Sequence, residues 1–190
     1  SDLAEICGVD HHWSGSRLNR YGVCPYGFYA RHVLKLEEQA DPEEGFDAMQ
    51  RGSLLHAILE KLFQQMTAAG LRPNRENQPV ILSWLATLCD GLFAGAPLRY
   101  GFREGSLWRY EQQELRRLLV RLLEWECSGA EGTGLEPLYQ ELRFGFSKKD
   151  MPPLQLEVGD IRFQRHGVID RIDRDEAGQL HIIDYKSGRK

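Results

Sequence analysis

The period of the hydrophobic pattern changes once along this chain, and that change divides it into two kinds of structure. Up to about residue 135 the apolar residues recur every three or four positions; from Leu138 onward they alternate. The clearest helical stripe runs from Met49 to Met66 through Leu54, Leu55, Ile58, Leu59, Leu62, Phe63 and Met66, and Gly70 closes it. A helix is expected over Pro79 to Phe93, followed by a loop through Gly95, Pro97 and Gly101. A long one follows from Ser106 to Cys127, with Leu115, Leu118, Leu119, Leu122 and Leu123 on one face and Arg116, Arg117 and Arg121 on the other. Two shorter openings precede these, one capped by Ser14 or Ser16, the other at Cys24-Pro25 and running through Tyr29 towards Leu36. The acidic segment Glu37 to Asp47 reads as an exposed loop, and Gly129 to Gly134 as a break. Beyond it, Leu138, Gln140, Leu142, Phe144 and Phe146 line one side of a strand, with Tyr139, Glu141 and Arg143 on the other. Ile161 to Asp173 and Leu180 to Lys186 are two further strands. The fold class is therefore α/β (α+β): a single domain over 1–190, mainly helical over 1–135, with the core strands over 136–190.

Composition sets the setting for this fold. With 190 residues, 42% of them hydrophobic and 27% charged, the chain buries a core without needing a disulfide or structural metal. No run of 18 apolar residues occurs, so no transmembrane helix and no membrane partner are expected. The start, Ser1-Asp2-Leu3-Ala4-Glu5, lacks the basic and apolar regions of a secretory signal, so a cytoplasmic, reducing location is expected. The net charge of −4 argues against coating nucleic acid by bulk electrostatics, yet leaves room for an acidic metal site. None of the four cysteines forms a Cys-x-x-Cys pair, and Cys7, Cys89 and Cys127 read as small apolar residues.

The chemistry is concentrated at the end of the chain. Gly167-Val168-Ile169-Asp170-Arg171-Ile172-Asp173 and Leu180-His181-Ile182-Ile183-Asp184-Tyr185-Lys186 are β-rich runs separated by the turn signal Asp175-Glu176-Ala177-Gly178. A three-residue loop with Gly178 in the left-handed position pairs residue 175 with 179 and fixes every pair beyond it. That register sets Asp170 opposite Asp184. Directly opposed residues on one face hold their Cβ atoms about 5 Å apart, and two carboxylates so placed repel unless a cation lies between them. Mg²⁺ is a natural occupant, being typically held by one or two carboxylates together with water and phosphate oxygens. Lys186 lies roughly 6.6 Å further along the same face, where it can hold a water or a phosphate oxygen beside the ion. His56 falls at the edge of the apolar stripe of its helix, a position suited to lining a groove, where a neutral imidazole can ligate metal.

Taken together, Arg51-Gly52-Ser53-Leu54-Leu55-His56, the Gly167 to Asp173 run and Ile183-Asp184-Tyr185-Lys186-Ser187-Gly188 resemble the PD-(D/E)xK nuclease superfamily. More narrowly, the set resembles its RecB-like branch, which includes the nuclease domains of AddB-type helicase–nucleases and the Cas4-like exonucleases. The resemblance implies a restriction-endonuclease-like core, a small mixed sheet whose β-hairpin carries the site, flanked by several helices. It implies that His56, Asp170 and Asp184 are metal ligands, that Tyr185 lends the metal its backbone carbonyl, and that Lys186 is the catalytic lysine beside Asp170 and Asp184. Glu141 is an additional candidate on the strand before the hairpin. Arg171 and Asp173 read as a supporting pair.

What the resemblance implies for function is a deoxyribonuclease dependent on Mg²⁺ or Mn²⁺, an exonuclease acting within a helicase–nuclease or DNA-repair and recombination system. Its partners would be DNA, single-stranded or at an unwound end, and a helicase domain or subunit. Candidates for phosphate contacts are Arg31, Arg116, Arg117, Arg121, Arg165, Arg189 and Lys190, the Arg116 to Arg121 set reading first as an ordinary solvated helix face; Tyr26, Phe28 and Tyr29 could stack bases but read first as core packing. The alternative is a non-catalytic nuclease-like domain that binds DNA or a helicase. Cys24 stands where iron–sulfur members of this branch have the first of four cluster ligands; the other three, and a further helix, follow the Asp-x-Lys motif in those proteins. The chain ends four residues after Lys186, so it is read as a fragment of a longer protein, or else as a member lacking both features.

Overall fold

The computed structural model describes residues 12–36, 46–129, 135–159 and 161–186. Cys7, Arg189, Lys190, the Ser187-Gly188 pair, the stretch 130–134 and most of the expected loop, 37–45, lie outside the described residues. The chain divides into two compact units, one containing Ser1–Asp41 and Leu142–Val168, the other Pro42–Glu141 and Ile169–Lys190.

In the first unit, β1 (His12–Ser14) leads into α1 (Gly15–Val23), α2 (Pro25–Phe28) and one π-helical turn (Tyr29–Val33). The Ser14 side chain caps α1 by accepting from the Arg17 N–H, and the Cys24 Sγ caps α2 by accepting from the Gly27 N–H. Phe28 is buried against the rings of Trp13, Tyr21 and His32, which removes it from the stacking candidates. The sheet is organised on one long strand, β4 (Ile161–Arg174), which pairs with β1, with β2 (Glu136–Phe144), with β3 (Leu154–Val158) and with β5 (Leu180–Ile183). β1 runs parallel to β4 and β3 antiparallel, both alongside its first half. Alternation does not reveal either: β1 has three residues, and β3 is exposed at four of its five. Gly167 is needed for space, since a Cβ there would lie 2.9 Å from the Phe144 ring.

The second unit holds α3 (Ala48–Ala68), α4 (Gln78–Tyr100), α5 (Ser106–Cys127), β5 and the remaining halves of β2 and β4. A capping box starts α3: Asp47 Oδ1 accepts the Gln50 N–H at 2.7 Å, and Gln50 Oε1 accepts the Asp47 N–H at 3.2 Å. The expected stripe of α3 is the core, packed with Ile81, Leu85, Cys89 and Phe93 of α4 and Leu115, Leu119 and Leu123 of α5. Burial pushes the Cys89 thiol up to about 11, as suits an inert core residue.

Two expectations need correction. The segment through Gly95 and Pro97 is helix rather than loop. Ala96 is fully buried and Tyr100 packs on Phe46, so tertiary contacts carry α4 past its proline to a stop at Gly101, in the left-handed conformation at φ 74°. The same helix is also long and apolar enough, by length and composition alone, to cross a membrane, although its sequence contains no unbroken run of 18 apolar residues. Its stripe Ile81, Leu85, Cys89, Phe93 and Ala96 is the face buried against α3 and α5.

Candidate metal centre

The hairpin that carries the site has the expected register. Arg171 pairs with Ile183, Ile172 with Ile182, Asp173 with His181 and Arg174 with Leu180. The turn is closed by the Asp175 N–H donating to the Gln179 carbonyl, with Gly178 at φ 83°. The ladder ends one pair short of Asp170 and Asp184. There the Asp170 carboxylate itself takes the next donor, its Oδ2 accepting the Tyr185 N–H at 2.7 Å, and β5 stops at Ile183 instead of running to Lys186.

Three side chains converge beside this point. Ligand atoms of His56 on α3, Glu141 on β2 and Asp170 on β4 all lie within 4.8 Å of one another. The His56 Nδ1 is 3.6 Å from Glu141 Oε1 and 3.6 Å from Asp170 Oδ1, too far for hydrogen bonds. Its Nε2 lies 3.2 Å from the Tyr185 carbonyl oxygen, which can only accept, so Nε2 carries the proton. In the neutral ring Nδ1 is then a bare lone pair facing two carboxylates. Burial, and then the neighbouring Asp170, push the Glu141 carboxyl above the usual carboxylate range. Two carboxylates about 4–5 Å apart repel by about 3–4 kcal/mol at an effective dielectric of about 20. One imidazole nitrogen and two carboxylate oxygens are a donor set for a small hard divalent ion, and a ligating histidine that donates its other N–H to a backbone carbonyl is the usual supporting arrangement. The residues present thus fit a divalent metal.

Glu141 reaches this cluster through its backbone. Simple alternation would place it with the exposed Tyr139 and Arg143, but it adopts φ 49°, a left-handed conformation rare outside glycine. β2 continues through this residue, and its carboxylate faces His56. The cost of such a conformation is about 1–2 kcal/mol, borne at a residue whose side chain is one of the three ligands.

The structure does not bring Asp184 into this group of three. Its exposed carboxylate pairs with the Lys186 ammonium at 2.7 Å, and that pairing pushes the Lys186 amine up. The Tyr185 carbonyl is the acceptor for His56, and the half-buried Tyr185 phenol accepts from Arg171 Nη1. Cys24 is exposed and caps α2, while Cys89 and Cys127 are buried in the helical core, so the described residues provide one exposed thiol. Among the basic residues proposed for phosphate, Arg116 pairs with Asp90 and Arg117 with Glu114. Tyr26 and Tyr29 are exposed.

One buried polar group was missed by sequence reasoning. Arg171 and Asp173 do pair, at 3.0 Å, and the Arg171 guanidinium also grips Glu126 through two bonds of 3.0 and 3.1 Å. Glu126 follows Leu123 by three residues on the buried stripe of α5, so an acid at a core position was the available signal.

Comparison with known proteins shows the family of the chain. Residues 12–190 match the PD-(D/E)XK nuclease superfamily. An ATP-dependent helicase/deoxyribonuclease subunit of Geobacillus kaustophilus is 30% identical over 183 residues, covering 93% of this chain. The proteins of the same description from Geobacillus thermodenitrificans and Clostridioides difficile are 29% and 27% identical, covering 93% and 92% of it. The chain spans 15% of the length of each of these relatives. With a match over nearly its whole length and a five-stranded mixed sheet bearing the motif hairpin, the chain belongs to the PD-(D/E)XK nuclease superfamily.

Proposed function

We propose that this chain is the nuclease domain, a single functional domain over 1–190, of a helicase–nuclease that degrades DNA by metal-dependent phosphodiester hydrolysis, as an exonuclease in DNA repair and recombination. The observation that carries this reading is the convergence of His56 Nδ1 with the carboxylates of Glu141 and Asp170, an arrangement that a divalent cation stabilises. His56, Asp170 and Glu141 would hold Mg²⁺ or Mn²⁺, with Asp184 as the further acid. The Tyr185 carbonyl, taken by the His56 Nε2–H on the side of the ring away from Nδ1, would support the histidine rather than touch the ion, in place of the ligand role the resemblance implies. When bound, the metal polarises the scissile phosphate and lowers the pKa of a coordinated water. Lys186, exposed and cationic, would orient that water and offset charge building on the phosphorus oxygens.

The substrate would be single-stranded DNA or an unwound end, the partner a helicase domain or subunit like those named in the relatives, and the location the cytoplasm. Cys24 would be the first thiolate of an iron–sulfur cluster whose other ligands come from a longer protein.

One observation favours a second reading. Asp184 and Lys186 are paired with each other rather than grouped with the three ligand atoms, as in a nuclease-like module that binds DNA or a helicase without cutting. Digestion of labelled single- and double-stranded DNA in Mg²⁺, Mn²⁺ or EDTA separates the two. The nuclease reading expects metal-dependent degradation that Asp184→Ala abolishes; equal degradation by wild type and Asp184→Ala would refute the catalytic assignment. Saturable Mn²⁺ binding with no cleavage of either DNA would favour the silent module.

A further inference from the structure

Tyr185 lies two residues beyond the last ladder pair of β5, so the sheet does not fix its backbone. Both of its main-chain polar groups nevertheless go to the candidate metal centre: the N–H donates to Asp170 Oδ2 at 2.7 Å, and the carbonyl accepts from His56 Nε2 at 3.2 Å. The first bond occupies one oxygen of Asp170 and leaves Oδ1 towards the imidazole. The second turns Nδ1 of His56 towards the acids. The Tyr185 ring also stands edge-on to the imidazole, centroid to centroid 5.9 Å. Two of the three proposed ligands therefore take their orientation from this one residue.

Tyr185 in turn is anchored through its far end. The Arg171 Nη1 donates to its phenol oxygen at 2.9 Å, while the same guanidinium is held by both oxygens of Glu126 and lies 3.9 Å from the centroid of the Phe63 ring. The Arg171 and Glu126 side chains are 3% and 6% exposed. Burying an ion pair is costly, and well-packed apolar residues of similar volume often serve stability equally well. Geometric definition is the property this pair adds that apolar packing does not: a planar guanidinium held at several points fixes the phenol oxygen in direction as well as distance.

We infer that Tyr185, anchored by the buried Glu126–Arg171 pair, is a positioning residue that sets the orientation of His56 and Asp170 for metal. The inference rests on the metal-centre reading above, but its effect on His56 is visible without metal.

Tyr185→Phe keeps the ring and removes only the phenol oxygen that Arg171 holds. Glu126→Gln keeps the shape of the carboxylate and weakens its grip on Arg171. Two measurements on the 190-residue chain decide the matter: nitrogen NMR of His56 in metal-free protein, and calorimetric titration with Mn²⁺. We expect one Nε2–H tautomer in the wild type, a mixed or shifted signal in both variants, and Mn²⁺ affinity lowered about tenfold in each. The thermal midpoint of Tyr185→Phe should stay close to that of wild type. Unchanged His56 signals together with unchanged Mn²⁺ affinity in both variants would overturn the inference. If the wild type binds no Mn²⁺, the metal reading fails instead, and the His56 signals alone still decide whether Tyr185 positions the ring.

Discussion

Glu141 is the residue at which sequence and conformation disagree most. A glutamate held at φ 49° in a strand bears a backbone cost that glycine would not, and its carboxylate faces the imidazole of His56. Glu141→Gly and Glu141→Ala both remove that carboxylate and differ in the backbone. We expect the glycine variant to be the more stable of the two by about 1 kcal/mol, the reverse of the ordinary order in a strand, and both to bind Mn²⁺ more weakly than wild type. Urea unfolding of the two variants measures the difference; a more stable alanine variant would show that the position is unstrained. His56 was legible as an edge residue of its helix because the apolar stripe of α3 was unambiguous. The role of Glu141 was legible only as a residue type on the right strand, since period-two reasoning has no place for a left-handed residue and would have turned this side chain to solvent.

At the scale of elements, the hairpin between β4 and β5 was readable down to its register, because the turn residues fix the pairing and Gly178 takes the left-handed position that the loop requires. α3 and α5 were readable for the same reason, one strong period each. The end of α4 was not, because Gly95 and Pro97 carry local stop signals that the burial of Ala96 and the packing of Tyr100 override. The start of α3 gives a simple check: Asp47→Ala removes one half of the capping box and should cost about 1 kcal/mol of unfolding free energy. The link between β4 and α5 gives another. Burial pushes both the Glu126 and Asp173 carboxyls up, so the folded chain keeps protons that the unfolded chain releases. For these acids the sign is a loss of stability as pH rises from the unfolded pKa, about 4, through the raised folded values. Asp173→Asn removes one of the two. The difference in thermal midpoint, Asn variant minus wild type, should therefore become more favourable to the variant as pH rises from about 4, and a difference that is flat or falls with pH would contradict the assignment.

Charge is distributed unevenly over the whole molecule. The unit built from Ser1–Asp41 and Leu142–Val168 carries nine lysines and arginines and nine aspartates and glutamates, so the net −4 of the chain belongs to the other unit. The mean charge of the sequence conceals this, because the neutral unit comes from two separated stretches that only the fold assigns together. Tyr21, Tyr26 and Tyr29 are exposed in the neutral unit, as are Arg20 and Arg31, so stacking surface and individual cations occur together there. Binding of single-stranded DNA by the metal-free protein should weaken as salt rises, with a log–log slope near −0.7 for each phosphate neutralised. Arg20→Glu with Arg31→Glu should reduce that affinity and the slope together while leaving Mn²⁺ binding unchanged. An affinity indifferent to both salt and charge reversal would place DNA elsewhere.

The central claim is that His56, Glu141 and Asp170 share one divalent cation. Crystals of the chain soaked in Mn²⁺ and measured at a wavelength where manganese scatters anomalously test it most directly. The account predicts a single strong anomalous peak at coordination distance, roughly 2.0–2.3 Å, from His56 Nδ1 and from a carboxylate oxygen of both Glu141 and Asp170. A map with no peak among these three side chains, at a Mn²⁺ concentration that saturates the protein in solution, would contradict it.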